Sequence, residues 1–365
     1  MQFESGLRKS LFAATLSLAL CSATSFTVSD SEFSDSYSSY LQAVTDENKE
    51  QILKFAEQTY ILGLGKFDET SINLANLTLN YANALVEYSN DDEKANQLFH
   101  DVLASYRIYF GDQAIELVDP LVGAAQTSSR AKDAKSLFEE AIDLTEGVED
   151  KLVHGDMLKA AFDHLSRTEL YNRTIRNYMF DAYDIYKERL PETALTRIKS
   201  AFTVASIYFV EKRQTKKSIM LLEEVVKQFS VLDYNHPYEL TAHSYLVELY
   251  EREGESEKST QHCIAIGSMR PWLDTQEQIP LYRVPPNYPQ SYVKKRKEGW
   301  VQISFIIDDN GFVTNPEVID SKGGSRFEKE SLKVIKKWRY APKFVDGKPV
   351  AAPSRIQLDY TMSKS

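Results

Sequence analysis

Ala95-Asn96-Gln97-Leu98-Phe99-His100-Asp101-Val102-Leu103 carries small or apolar residues at its first, fourth, fifth, eighth and ninth positions. That spacing puts all five on one face of an α-helix. The pattern returns at Ala134, Leu137, Phe138, Ala141 and Ile142, at Ile175, Tyr178, Met179, Ala182 and Tyr183, and at Ser218, Leu221, Leu222, Val225 and Val226. A degraded fifth copy runs through Ser259, His262, Cys263, Ile266 and Gly267, and the copies start 39, 41, 43 and 41 residues apart. One helix cannot bury such a stripe alone, so a period near forty implies stacked helical pairs. The preceding helix of a pair shows in Leu121, Val122 and Ala125, in Ala205, Ile207 and Phe209, and in Leu246, Leu249 and Tyr250. Phe110-Gly111-Asp112, Leu190-Pro191-Glu192 and His236-Pro237-Tyr238 separate units. Most of the tyrosines here (Tyr178, Tyr183, Tyr186, Tyr208, Tyr245 and Tyr250) are expected to pack between helices.

Outward from this body, both ends change character. Arg8 and Lys9, the apolar run Leu11 to Leu20 and the small residues after it read as an export signal, with cleavage expected after Ala23. Ten helical residues rise about 15 Å, half a bilayer core, so no stable transmembrane span is expected. If the signal is retained or lipidated, membrane association follows. With Cys21 removed only Cys263 remains, and the fold must rest on its core. The segments read as 1–23 signal peptide, 24–45 flexible leader, 46–270 helical repeats, 271–287 Pro-rich arm and 288–361 a terminal domain. The net charge of -10 hides an asymmetry: from Leu281 to Ser365 there are 16 Lys/Arg against 9 Asp/Glu, a net +7, so the rest carries -17. Two units with different partners are implied.

In the tail, Pro280, Pro285, Pro286 and Pro289 forbid helix and suggest an extended arm. Val301, Ile303, Phe305 and Ile307 alternate with Gln302, Ser304 and Ile306 as a strand. Asn310-Gly311 signals a hairpin turn, both residues tolerating positive φ, and Val313 to Asp320 returns, with Pro316 marking an edge or a bulge. Ser325-Arg326-Phe327-Glu328 reads as a capping box opening a helix, whose Phe327, Ser331, Val334, Ile335 and Trp338 face the sheet. After a turn at Asp346-Gly347, a last strand alternates Ile356, Leu358 and Tyr360 with Arg355, Gln357 and Asp359.

The fold class is therefore multidomain: an all-α helical-hairpin solenoid followed by a small α+β domain of β-β-α-β order. The first resembles a tetratricopeptide array, most clearly at Leu246, Tyr250, Gly254 and Ser259 and in Leu222-Glu223-Glu224-Val225, with a period longer than the family's usual one. The tail resembles the TonB C-terminal domain. Pro286-x-Tyr288-Pro289, Glu298-Gly299-x-Val301, Gly311-x-Val313 and Trp338-Arg339-Tyr340-x-Pro342 occur in that family's order and spacing, over residues 280 to 361. The resemblance implies binding rather than chemistry. Its members sit in the periplasm of Gram-negative bacteria and pair their last strand with the TonB box, an extended peptide of outer-membrane TonB-dependent receptors, by β-augmentation. On that basis the site is the backbone of Arg355, Ile356, Gln357, Leu358, Asp359 and Tyr360, with Arg355 and Gln357 as side-chain contacts, beside Arg283, Val284, Pro285, Pro286, Asn287 and Tyr288. Energy-transducing members have a membrane anchor and a Pro-rich spacer. Here a cleavable-looking signal and a helical array replace them, so direct coupling to the proton gradient is not expected.

The expected role is a periplasmic adaptor supporting transmembrane transport, with repeats that bind other envelope proteins. The alternative is an envelope scaffold holding peptidoglycan or protein complexes without energised transport. Trp338, Tyr340 and Phe327 read as core, and Lys294-Lys295-Arg296-Lys297 as a solvated run that could meet acidic receptor plugs or anionic envelope surfaces. Export argues against nucleic acid. His100, His154, His164, His236, His243 and His262 form no HExxH, and no CxxC exists. Nucleophile elbow, Gly-rich phosphate loop and dinucleotide fingerprint are all missing from the sequence. No enzyme, metal or cofactor is expected, and Glu139-Glu140 and Glu223-Glu224 read as solvated surface.

Overall fold

The computed structural model describes residues 29–362 apart from 90, 231–235, 271 and 273–277. The expected signal peptide lies outside the described residues, as do parts of the leader and of the arm. The chain divides into two compact units, Met1–Pro191 and Glu192–Ser365.

In the first unit α1 (Asp30–Thr45) and α2 (Lys49–Lys66) form a hairpin, followed by α3 (Ile72–Tyr88) with α4 (Asp92–Phe110), α5 (Val118–Thr127) with α6 (Ala131–Glu146), and α7 (Lys151–Leu165) with α8 (Arg173–Arg189). Each helix packs on the next. Helix α1 corrects the expected flexible leader. Its Ser and Asp content suggested disorder, yet Phe33, Ser36 and Ala43 fall on one buried face, and Ser29 Oγ accepts from Glu32 N. Ser36 then hydrogen-bonds Thr59 of α2 at 3.1 Å. Ala95, Leu98, Phe99, Val102 and Leu103 are all buried in α4. Tyrosines tie neighbouring helices through their hydroxyls: Tyr106 donates to Asn76 and Tyr186 to Asp156. Glu139 and Glu140 are not idle surface; Glu140 takes an ion pair from Arg107 of α4 at 2.7 Å, and Glu139 one from Lys135.

The second unit begins with α9 (Leu195–Val210), α10 (Thr215–Phe229), α11 (Pro237–Glu253) and α12 (Ser256–Met269). The weakest sequence copy is fully used: Ser259, His262, Cys263, Ile266 and Gly267 of α12 are all buried. Glu223 accepts from the Tyr250 hydroxyl at 2.9 Å and lies 3.2 Å from His262 Nε2. His262 Nδ1 stands 2.8 Å from His243 Nδ1. Glu223 thus fixes the His262 proton on Nε2, and His262 Nδ1 accepts from His243. Burial, then the neighbouring His262, push His243 down to about 4, while the His262 hydrogen bond lowers Glu223. A depressed folded pKa contributes stability that is fully present above the unfolded value and is lost as pH falls through the folded one. The last hairpin should therefore loosen between about pH 6.5 and 4; His243→Phe should flatten that part of a denaturation-midpoint profile, and an unchanged profile would remove the pair from the account.

The tail follows as α13 (Gln290–Val293), β1 (Gly299–Ile307), β2 (Val313–Lys322), α14 (Ser325–Ile335), β3 (Lys343–Val345), β4 (Lys348–Val350) and β5 (Ala352–Tyr360). The main sheet is antiparallel in the order β2-β1-β5. Its core is Val301, Ile303, Phe305 and Ile307 of β1 under Phe327, Ile335, Trp338 and Tyr340. The β1–β2 turn uses positive φ only at Gly311, at +81°, while Asp308 Oδ1 accepts from Asn310 N and Phe312 N. A Cβ on Gly311 would stand 2.1 Å from the Tyr340 carbonyl oxygen, so both backbone sign and space demand glycine. Pro316 sits on edge strand β2, which slips register against β1 next to it. The expected capping box does not form: Gly324 is the N-cap, Ser325 lies within the helix, and Glu328 accepts from Ser321 instead.

The tail does not hang free of the helices in this unit. Val247, Cys263 and Ile266 form an apolar cluster joined by Leu240, Leu281, Tyr282 and Ala341. Arg339, buried between Trp338 and Tyr340, ion-pairs with Glu251 of α11 at 2.7 Å and donates to Thr260 of α12. At Gly267 of α12 an added Cβ would meet the Pro342 carbonyl oxygen at 2.6 Å. The helix and the chain after Trp338 touch backbone to backbone there.

Candidate peptide-binding edge

Strand β5 pairs with β1 through all nine residues, from Gly299 opposite Tyr360 to Ile307 opposite Ala352. Among the described residues nothing pairs with its other side, so every second N–H and C=O of β5 faces outward. The side chains alternate as the sequence suggested. Pro353, Arg355, Gln357 and Asp359 are exposed, whereas Ala352, Leu358 and Tyr360 are buried. Leu358 and Tyr360 can therefore offer a partner only backbone. Gln357 is held in a polar row, accepting from Gln302 at 2.9 Å and donating to Asp359 at 2.8 Å.

Tyr360 is anchored inward. Its hydroxyl lies 2.8 Å from Ser331 Oγ and donates to the Phe327 carbonyl, and its ring stacks on Phe327 with centroids 4.1 Å apart. Burial raises the phenol pKa and the Glu330 charge adds to that, so the group stays a neutral donor. Tyr288 meets both rings edge-on, 5.4 Å from Phe327 and 5.6 Å from Tyr360, and donates its hydroxyl to the Lys297 carbonyl.

The arm runs extended, with Arg283, Pro285 and Asn287 exposed and Val284 and Pro286 half-buried. Its backbone is tied to the segment after α14: Leu281 N donates to the Arg339 carbonyl, Arg339 N to Tyr282 O, and Trp338 Nε1 to Val284 O at 2.9 Å. The arm therefore does not pair with β5. The structure brings together Tyr288 and Tyr360 and leaves Arg283 to Asn287 along the Trp338–Arg339 strip. The partner of Arg339 was not legible in the sequence. An arginine inside an aromatic motif hinted at burial, but Glu251 stands 88 positions earlier. Among the described residues no group of three or more His, Cys, Asp and Glu is placed to hold a metal ion. No helix among them is long and apolar enough to cross a membrane.

Helical hairpins followed by a small α+β domain, in whose main sheet β2 and β5 are the outer strands, define the class of fold. Comparison with known proteins agrees on both parts. Residues 284–362 match the family model for the C-terminal of the Gram-negative bacterial TonB protein. Protein TonB of Vibrio cholerae is 29% identical over 80 residues, covering 22% of this chain and 33% of that protein. Protein TonB of Escherichia coli is 35% identical over 69 residues, covering 19% and 27%. The chain thus spans about a third or less of these relatives. The helical hairpins resemble the tetratricopeptide-repeat sensor protein of Pyrococcus horikoshii, a signal transduction ATPase with numerous domains. The TM-score is 0.50 at 14% identity, over 64% of this chain and 35% of that one, a likeness of fold. The tail is a TonB C-terminal-like domain, and tetratricopeptide-like helical hairpins precede it.

Proposed function

We propose that this chain is a periplasmic, non-enzymatic adaptor whose tail captures an extended peptide by adding it as a fourth strand beside β5. The peptide is the TonB box of outer-membrane TonB-dependent receptors, and the capture serves a TonB-like role in transport across that membrane. The observation that carries this reading is the unpaired margin of β5 with its polar outward row, Arg355, Gln357 and Asp359. Main-chain hydrogen bonds give such a partner its affinity, and the alternate side chains give selectivity. Tyr288 meets Tyr360 at the carboxyl end of that strand, and the arm residues Arg283, Val284, Pro285, Pro286 and Asn287, which run along Trp338 and Arg339, serve as a second contact strip for the peptide. The helical hairpins serve as the platform for other envelope proteins. Support comes from a half-buried row of stacked rings on α9 and α11, in which Phe202 lies 4.7 Å from Tyr238 and Phe209 lies 4.0 Å from Tyr245.

Amide hydrogen exchange tests the reading. Adding a receptor-derived TonB-box peptide to the full chain should protect alternate amides between Arg355 and Tyr360, the ones exposed without peptide. Protection confined to α9 and α11 would favour the scaffold alternative, and no protection anywhere in the tail would remove the strand-addition reading.

A further inference from the structure

We propose that the outward face of α14, continued by the run Lys294–Lys297, binds an anionic phospholipid surface. Helix α14 buries Phe327, Ser331, Val334 and Ile335 against β1 and β2. Its other side presents Arg326, Lys329 and Lys333, and Lys336 and Lys337 follow in the turn that ends it, all exposed. A spacing of three and four keeps the first three on one stripe.

The run Lys294–Lys297 is exposed too and joins the same patch. Lys297 Nζ lies 4.6 Å from the centre of the Tyr292 ring, and the Arg326 guanidinium lies 5.9 Å from that ring while bonding Ser291. Two cations share one ring instead of finding carboxylates. Among the described residues no cation of this patch forms an ion pair, whereas Lys66, Lys94, Lys135, Lys159 and Lys258 elsewhere all do. The carboxylates of the helix face other partners: Glu328 accepts from Ser321, and Glu330 lies near enough to Tyr360 to raise its pKa.

Solvated charge runs usually interleave signs at helical spacing. Here Lys329 and Lys333 stand at i and i+4, a like-charged pair that weakens a helix by a few tenths of a kcal/mol, and Lys336 and Lys337 continue the charge past its end. An external anion is what such an arrangement fits. Most of these cations are lysines on flexible stems; Lys336 and Lys337 border a hollow beside Arg339, whereas Arg326, Lys329 and Lys333 line neither that hollow nor the one beside Pro316. Mobile point charges of this kind suit a laterally mobile array of lipid phosphates, whereas a specific acidic peptide calls for the fixed forks of arginine. Charge asymmetry supplies orientation. The tail from Leu281 carries +7 and the remainder -17, so an anionic surface attracts this face and repels the rest. Helix α14 covers one face of the sheet and meets β5 at Tyr360, while Arg355, Gln357 and Asp359 of β5 stay exposed, so the two surfaces can act at once.

Co-sedimentation of the full chain with vesicles tests this. The chain should partition to phosphatidylcholine vesicles containing phosphatidylglycerol, stay in solution with pure phosphatidylcholine, and be released by salt. Each neutralised cation should weaken partitioning about fivefold, so the triple variant Lys329→Gln, Lys333→Gln and Lys337→Gln should lose on the order of a hundredfold. These side chains are exposed, and unchanged tryptophan fluorescence would confirm the fold. Lys216→Gln with Lys217→Gln on α10 should partition like the parent chain. Equal binding to neutral vesicles, or undiminished binding by the triple variant, overturns the proposal. So does displacement by inorganic phosphate at constant ionic strength, which would mark a discrete anion pocket. Tighter binding to poly-glutamate than to vesicles would assign the face to an acidic protein instead.

Discussion

Replacing Arg339 with Met is expected to destabilise the unit Glu192–Ser365 by about 3–5 kcal/mol, the cost of breaking a buried ion pair by removing one partner. The Arg339 side chain is 1% exposed and that of Glu251 10%. One Nη donates to Glu251, the other to Thr260 at 2.7 Å and to the Asn310 carbonyl at 3.0 Å. The guanidinium also lies 3.6 Å from the centre of the Phe312 ring. Met keeps much of the apolar stem but leaves a carboxylate, a hydroxyl and a carbonyl without their donor. Because all three tryptophans, Trp272, Trp300 and Trp338, lie beyond α12, their fluorescence reports the tail in a urea titration, and circular dichroism reports the helices. Both midpoints should fall. Adding Glu251→Leu to Arg339→Met should recover much of the loss, since an apolar pair replaces the ionic one. A single variant within 1 kcal/mol of the parent chain would mean that water reaches Glu251 and that this contact does not bind the tail to the last hairpin.

Phe327→Ala should cost a similar amount, about 3–5 kcal/mol, as buried phenylalanine truncations do. Phe327 is 0% exposed and stands between three tyrosines: Tyr360 of β5, Tyr288 at the end of the arm, and Tyr292 of α13, 4.8 Å away. Its loss opens a cavity where the arm meets the last strand. The expected result has two parts. The tail midpoint drops, and peptide-induced amide protection along β5 falls even under conditions where the tail is still folded, because Tyr360 no longer has a ring to lie on. Phe327→Leu fills most of the space and should cost roughly 1 kcal/mol with peptide protection retained. If alanine and leucine behave alike in both measurements, the aromatic cluster does not position the strand.

Local periodicity explains which elements were legible beforehand. The repeat pattern of α4 appears in the structure as five buried residues, and the face of α14 lies as its spacing required. The alternation of β5 was readable for the same reason, since a strand with one buried side writes period two into its residues. Composition misled at α1, where serines and aspartates masked Phe33, Tyr37 and Tyr40 at helical spacing. The pattern Ser325 to Glu328 looked like a capping box, but the left-handed Gly323 and Gly324, at φ +108° and +110°, start the helix one residue earlier in the role of cap. The turn at Asp346-Gly347 was visible, with both residues at positive φ, yet the short strands β3 and β4 around it were not. Three residues each are too few to show a period.

By itself the sequence determined the helical hairpins, the order of β1, β2, α14 and β5, and the inward or outward side of the residues of β1 and β5, because burial on one face imposes a period that neighbours along the chain display. Only the tertiary structure decided that β5 takes the margin of the sheet, that the arm lies along Trp338 and Arg339 rather than on β5, and that Arg339 is received by Glu251. Those outcomes depend on groups far apart in the chain meeting at hydrogen-bond distance, where geometry and desolvation act and no local pattern records the result.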